Sequence, residues 1–445
     1  MKRFSVWVVV IWTAISATTA IAAEDSRTQG PVVPAALESG LRLNINPDTE
    51  IFKRTVTIDG VIEDGEWDVF YTFSSGDWQA TTYADWDWKN LYIGAKSNKP
   101  LELLCALDAN DDGWFHGEEN FEFKITRTPD ANLSMEVSRY ESRNVKTPTP
   151  TPVSSAEASL VEFKSGQVGE QHVIELRIPF QLIRNFKPAP GVKIGLQINV
   201  KTAPEGTDWV PTSLLGDVAH CTLVAKKFAS LKPLILGFDL KDTAVAHGET
   251  LVGRFHMTNS GTETLDVRSF VIAGEGKAGA YLSSERIRLE GLPPKKHIAH
   301  DTRTVIPTEM PVGSWALGAE VRSAEEKLGA ALVSFDVVEP FETELRVPTG
   351  EVSANTSDVT IQVAVKNNTR KPARGKVKIS LPVGWELAKN ADTREFIVNP
   401  RGSVAYATFK AKPPIGELGK VPVKAEITIG GQTKTIESHF TVVAQ

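Results

Sequence analysis

The stretch Asp108-Ala109-Asn110-Asp111-Asp112-Gly113-Trp114-Phe115-His116-Gly117-Glu118-Glu119 decides how the first half of this 445-residue chain is read. Aspartate stands at loop positions 1 and 5, asparagine at 3, glycine at 6 and glutamate at 12, which is the spacing of a Ca²⁺-binding loop. A hard cation needs oxygen donors around one centre, a residue that permits a sharp turn, and a distal carboxylate to close the shell. Asp108, Asn110, Asp112 and Glu119 supply side-chain oxygens, and the Trp114 carbonyl falls where a backbone oxygen usually serves. The flanks settle the fold around the loop. Residues 101–107 (LELLCAL) and 121–125 (FEFKI) are short and apolar or alternating, so they read as strands, not as the helices of an EF-hand. The expectation is a Ca²⁺ loop carried on a β-sheet.

Outward from the loop, strand signals dominate. Residues 55–58 alternate and run into a turn with Asp-Gly at 59–60 and again at 64–65, and further strands are predicted at 172–180 and 191–200. Upstream, Lys2 and Arg3 precede an apolar run from Val6 to Ile15 and small residues ending at Ala23, the pattern of a secretory signal peptide. No later apolar run reaches the ~20 residues of a membrane span. Without Lys2 and Arg3 the chain holds 47 basic residues against 55 acidic ones, a formal charge of −8, which argues against nucleic acid or an anionic membrane as partner. Export permits a disulfide between Cys105 and Cys221, the only cysteines, but each equally suits a small buried apolar position.

The ordered succession of residues 58–67 (IDGVIEDGEW), 89–95 (KNLYIGA), 119–125 (ENFEFKI), 173–180 (VIELRIPF) and 191–200 (GVKIGLQINV) resembles the family 9 carbohydrate-binding modules and the related DOMON group. The resemblance covers about residues 50–226. It implies an antiparallel β-sandwich that binds Ca²⁺ and grips the end of a glycan between two tryptophans, with Trp114 and Trp209 in the matching places. Trp86 and Trp88 stand two apart among Asp85, Asp87 and Lys89, where stacking on a sugar and packing in a core are both open.

After residue 230 the grammar changes to short strands with turns every 8 to 12 residues, as in immunoglobulin-like sandwiches. Strand-turn-strand units centred on Asn259 and Asn367 repeat 108 positions apart, one such domain length. The second, with Pro382-Val383-Gly384-Trp385, resembles the NEW3 module found beside some α-galactosidases. The predicted organisation is therefore all-β: a signal peptide over 1–23, a lead-in over 24–50, a family 9-like antiparallel sandwich over 51–230, and immunoglobulin-like sandwiches over 231–338 and 339–445.

No Gly-x-Ser-x-Gly elbow, HExxH, Cys-x-x-Cys or phosphate-cradling loop occurs, and no local pair of carboxylates is nominated for glycoside hydrolysis. The leading expectation is a secreted, periplasmic or cell-envelope protein, non-catalytic, with a structural Ca²⁺ and tryptophans that stack on a polysaccharide or oligosaccharide. The alternatives are an envelope protein that recognises other proteins, and an accessory part of a glycoside-processing system.

Overall fold

The computed structural model describes residues 48–444 except 76, 113–116, 129, 131, 141–149, 203–218, 388–391, 415 and 417. Within them the chain is built almost wholly of strands.

Twelve strands form the first sandwich: β1 Asp48–Lys53, β2 Val69–Ser75, β3 Trp78–Trp86, β4 Asn90–Ser97, β5 Leu101–Asp108, β6 Gly117–Arg127, β7 Leu133–Tyr140, β8 Thr151–Pro152, β9 Glu162–Val168, β10 Gln171–Pro179, β11 Lys193–Thr202 and β12 Ala219–Val224. They hydrogen-bond along one path, β8-β7-β6-β5-β11-β12-β1-β3-β4-β10-β9, with β2 beside β3. The pairings are antiparallel except at β1, which runs parallel to β12 on one side and β3 on the other. β1 thereby joins two layers whose inward residues meet in one core. Leu103, Cys105 and Leu107 of β5, Phe121 and Phe123 of β6 and Ile194 and Leu196 of β11 face Ile93 of β4 and Leu176 and Ile178 of β10. Period-two alternation places these side chains on one face of each strand.

Residues 55–58, expected as a strand, make none. Their alternating Val56 and Ile58 instead join Ile62, Trp67, Tyr92 and Val173 in a second, smaller core. Gly94 in β4 leaves the space: an added Cβ would stand 3.1 Å from Ile62 Cδ1 and 3.3 Å from the Trp67 ring. Trp67 is 4% exposed.

The second sandwich comprises β13 Lys226–Ser230, β14 Leu234–Leu240, β15 Ala244–Ala246, β16 Thr250–Asn259, β17 Ser269–Gly274, β18 Glu285–Arg288, β19 His297–Val305, β20 Gly313–Arg322 and β21 Lys327–Val338. Sheet β13-β21-β20-β17-β18, with β15 beside β21, covers sheet β14-β16-β19. Because β13 pairs with β21, the first sandwich ends before Lys226, several residues ahead of the boundary expected at 230.

The third sandwich has β22 Phe341–Arg346, β23 Glu351–Ser353, β24 Val359–Asn367, β25 Ala373–Ser380, β26 Glu386–Leu387, β27 Thr393–Val398, β28 Ser403–Lys412, β29 Gly419–Ile429 and β30 Gln432–Val443, in sheets β22-β24-β28-β26 and β23-β30-β29-β25-β27. Alternation is regular here: Val421, Val423, Ala425 and Ile427 of β29 are all buried. The repeat read at Asn259 and Asn367 is a matching pair of buried amides. Asn259 Nδ2 donates to the carbonyls of Glu263 at 2.7 Å and Leu292 at 2.9 Å, while its Oδ1 accepts from Gly261 N at 2.9 Å. Asn367 Nδ2 donates to Lys371 O at 2.8 Å and Val398 O at 3.3 Å, and its Oδ1 accepts from Thr369 N at 2.9 Å. Each amide closes a turn whose backbone groups would otherwise be buried without partners.

The sandwiches are joined by charges. Lys53 meets Asp336 at 2.8 Å, Lys227 meets Asp68 at 2.7 Å and Lys277 meets Glu66 at 2.6 Å across the first joint. Phe52 packs there with Ala316 and Leu332. At the second joint the Arg370 guanidinium donates to Thr250 O at 2.7 Å and pairs with Asp242 at 2.8 Å.

Candidate functional site

The turn between β5 and β6 gathers four of the predicted metal ligands. Asp108, at the end of β5, is fully buried. Its Oδ1 accepts from Asn110 N at 3.3 Å, and Asn110 Oδ1 accepts in turn from Asp112 N at 3.3 Å. Asn110 Nδ2 donates to Asp112 Oδ2 at 3.1 Å and to Glu119 Oε1 at 3.3 Å. Asp111 takes a left-handed conformation, with φ of 54°, and its carboxylate meets His220 Nδ1 of β12 at 2.6 Å. Gly117 takes a φ of 140°, which favours glycine, and lies close against the Glu119 carboxylate. The Trp114 carbonyl lies outside the described residues.

These residues suit a hard cation. The partial positive charge of an amide NH₂ sits between two carboxylates, and rotating the amide by half a turn would present its oxygen there instead. The donor set is then three carboxylates and an amide, all oxygen, which is Ca²⁺ chemistry. Among the described residues no three His, Cys, Asp or Glu side chains stand close enough to hold a metal as they are. The Asn110 amide spaces the carboxylates apart.

The tryptophans divide. Trp114 and Trp209 lie outside the described residues. Trp86 is fully buried and its Nε1 donates to Ile51 O at 3.0 Å, so it belongs to the core. Trp88 is 47% exposed and packs edge-on against Trp86, with ring centroids 5.7 Å apart. Asp87 ends β3 by accepting from Lys89 N at 2.7 Å and Asn90 N at 2.8 Å, and this turn swings Trp88 toward the second sandwich. There its Nε1 donates to Asp336 Oδ2 at 2.8 Å, and Lys53 Nζ sits 4.4 Å from its ring centroid.

The disulfide left open by the sequence is not formed; both cysteines are free and buried. Cys105 stands opposite Ile198 of β11 and Cys221 opposite Ile194 of the same strand. Two strand spacings across and four residues along put their Cα atoms about 16 Å apart, against a limit of about 7 Å for a bridge. Burial pushes the Cys105 thiol well above its ordinary range.

Sequence reasoning missed the charges buried where the first two sandwiches meet. Asp85 is wholly buried against the Arg54 guanidinium, with Nε to Oδ1 at 3.0 Å, and its Oδ2 accepts from Asp68 N at 2.8 Å. Glu66 and Lys277 line a cavity of about 110 Å³ between the sandwiches, together with Arg54, Thr55 and Trp315. Burial raises the Glu66 carboxyl, and Lys277 opposes that shift. Two aspartate-glycine turns within ten residues were the only sequence signal of this joint. An open cleft lies elsewhere, at the free edge of the first sandwich, floored by Met135 and Phe163 and rimmed by Arg177 and Glu162, which pair at 2.8 Å. Among the described residues no helix is long and apolar enough to cross a membrane.

No family model matches the chain, and no curated protein matches it. Among solved structures it is similar to a family 9 carbohydrate-binding module from Caldicellulosiruptor kristjanssonii in complex with cellotriose, at 14% identity and a TM-score of 0.28, over 40% of this chain and 93% of that one. The same module in complex with glucose gives 14% identity and a TM-score of 0.28, over 40% and 95%. The native conformation of Escherichia coli alpha-2-macroglobulin is similar at 10% identity and a TM-score of 0.23, over 87% of this chain and 32% of that one.

Proposed function

We propose that this chain is an exported, non-catalytic carbohydrate-binding protein whose first sandwich is clipped by a structural Ca²⁺. The observation that carries the metal is the convergence of Asp112 and Glu119 on the Asn110 amide, next to buried Asp108. The ion would be held by Asp108, Asn110, Asp112 and Glu119, with the Trp114 carbonyl completing the loop. It neutralises carboxylates at one turn and ties β5 to β6, and His220 ties that turn to β12.

Sugar binding is supported by the family 9-like succession of motifs, by six of the ten tryptophans falling between residues 60 and 210, and by the acidic balance of the chain. Pyranose rings offer C–H faces to aromatic or apolar surfaces and hydroxyls to charged side chains. Trp114 and Trp209 are the residues assigned to stacking. The cleft of Met135, Phe163, Arg177 and Glu162 is a second surface of suitable chemistry.

Two measurements on the full chain test the reading. Ca²⁺ raises the melting temperature of the wild type, and Asp108→Ala and Glu119→Ala abolish the difference. At a hundredfold excess over Kd the stabilisation is about 2.7 kcal/mol; equal melting with and without chelator rejects the metal. Calorimetric titration with soluble oligosaccharides, in Ca²⁺, then shows binding that Trp114→Ala and Trp209→Ala remove. No heat from any glycan on an array-derived panel would leave the second reading, an envelope protein that recognises other proteins. The use of Trp86 in the core and the engagement of Trp88 by Asp336 favour that alternative, since packing claims two aromatics that a glycan would have used.

A further inference from the structure

One side chain beside the loop is buried with its polar atoms unmet among the described residues. Asn120 follows Glu119 on β6, stands directly opposite Asp108 of β5, and is fully buried. Among the described residues neither its Nδ2 nor its Oδ1 has a hydrogen-bond partner. An amide offers two donors and two acceptor sites, and leaving them unmet inside a protein costs stability that a leucine of similar shape would not. Asn259 and Asn367, the other fully buried asparagines among the described residues, make three and four side-chain bonds respectively.

Its position says what the amide faces. Directly opposed residues of an antiparallel pair project from the same face, with Cβ atoms about 5 Å apart. Asn120 therefore lies on the face of Asp108, whose Oδ1 already turns into the loop to accept from Asn110 N. The pairing of β6 with β7 also shifts register between Gly117 and Phe121, and such a bulge re-aims the side chains within it. The consecutive residues Glu119 and Asn120 can thus both serve one centre, which a regular strand would forbid.

We propose that the carbonyl oxygen of Asn120 is a further ligand of the loop's Ca²⁺, a neutral donor supplied from inside the sheet. This rests on the calcium reading above and extends it. Ca²⁺ takes six to eight oxygens and accepts amide carbonyls readily. An ion held by Asn120 is anchored to strand β6 where it pairs with β5, and not to the turn alone, and the buried amide gains the partner it lacks.

The test uses the full chain in three forms: wild type, Asn120→Leu and Asn120→Asp. Ca²⁺ affinity is measured by competition with a chelating dye, and melting is measured in excess chelator. Asn120→Leu raises the Kd for Ca²⁺ by about 10–100-fold, yet in chelator it melts at or above the wild type, because an unmet amide has been removed. Asn120→Asp, which keeps an oxygen at the site, retains affinity within a few-fold. An unchanged Kd for Asn120→Leu overturns the inference, as does a metal-free Asn120→Leu that melts well below the wild type. A wild type that takes up no Ca²⁺ rejects the calcium reading itself, and the inference with it. Should Asn120→Leu not fold, the Asp variant decides: tenfold or greater loss of affinity in a folded Asn120→Asp protein refutes the proposal.

Discussion

Glu175 links the stability of the first sandwich to pH, and Glu175→Gln exposes the link. The residue lies mid-strand in β10, fully buried, where Oε2 accepts from Asp59 N at 2.9 Å and from Gly60 N, while Oε1 has no hydrogen-bond partner among the described residues. Burial is the largest influence on its acidity, and the Asp59 and Glu66 charges add to it. Against the two backbone donors, together they push the carboxyl from 4.5 to about 7. Between those values the folded protein holds a proton that the unfolded chain has released. The contribution of Glu175 is therefore fully present below pH 4.5 and is lost as pH rises through about 7. A displacement of that size, at about 1.4 kcal/mol per pH unit, makes the loss about 3 kcal/mol. Gln keeps an oxygen for the two backbone donors and cannot ionise. Urea unfolding followed by tryptophan fluorescence, from pH 5 to 8, should show wild-type stability falling with pH and a flatter profile for Glu175→Gln. At pH 8 the variant's midpoint should lie higher by about 1 M. Parallel profiles across that range would refute the reasoning.

Two further outcomes follow from the same buried chemistry. Lys227→Met removes one partner of the ion pair with Asp68, in which both side chains are about nine-tenths buried, and should destabilise the full chain by about 3–5 kcal/mol. The double variant with Asp68→Leu should recover much of the loss, and a double-mutant cycle with no coupling would reject the pair as a determinant of the joint. Cys105 and Cys221 should both react with a thiol reagent in denaturant and neither in the native protein at pH 8, since both are buried as free thiols; detection of fewer than two thiols after unfolding without reductant would contradict the geometry.

Much of the architecture was legible because it is written locally. Alternation with period two marks β29 through Val421, Val423, Ala425 and Ile427, and the same signal marks β6 and β10. The tandem plan of the later sandwiches shows in the spacing of Asn259 and Asn367, since each amide closes a turn only a few residues long. The contacts of Asn110 with Asp112 and Glu119 were legible for the same reason: the three are near neighbours in the chain, so spacing alone brings them together. The misreadings lie where one residue decides between two outcomes. Residues 55–58 alternate like a strand, but Val56 and Ile58 pack as a cap on β4 and β10. Trp86 and Trp88 look like one face until Asp87 ends the strand between them.

By itself, then, the sequence determined an all-β chain, its sandwich repeats and the donor spacing of one loop, because each depends on contacts within a few residues or on a short period. Only the tertiary structure decided that β11 separates the two cysteines, that Lys53, Lys227 and Lys277 meet carboxylates across a joint, and that Asn120 is buried opposite Asp108 with no side-chain hydrogen bond among the described residues. Those facts join residues far apart in the chain or depend on what surrounds a side chain. Burial sets the energy of a charge or an amide, and burial is a property of the packed molecule that no local spacing encodes.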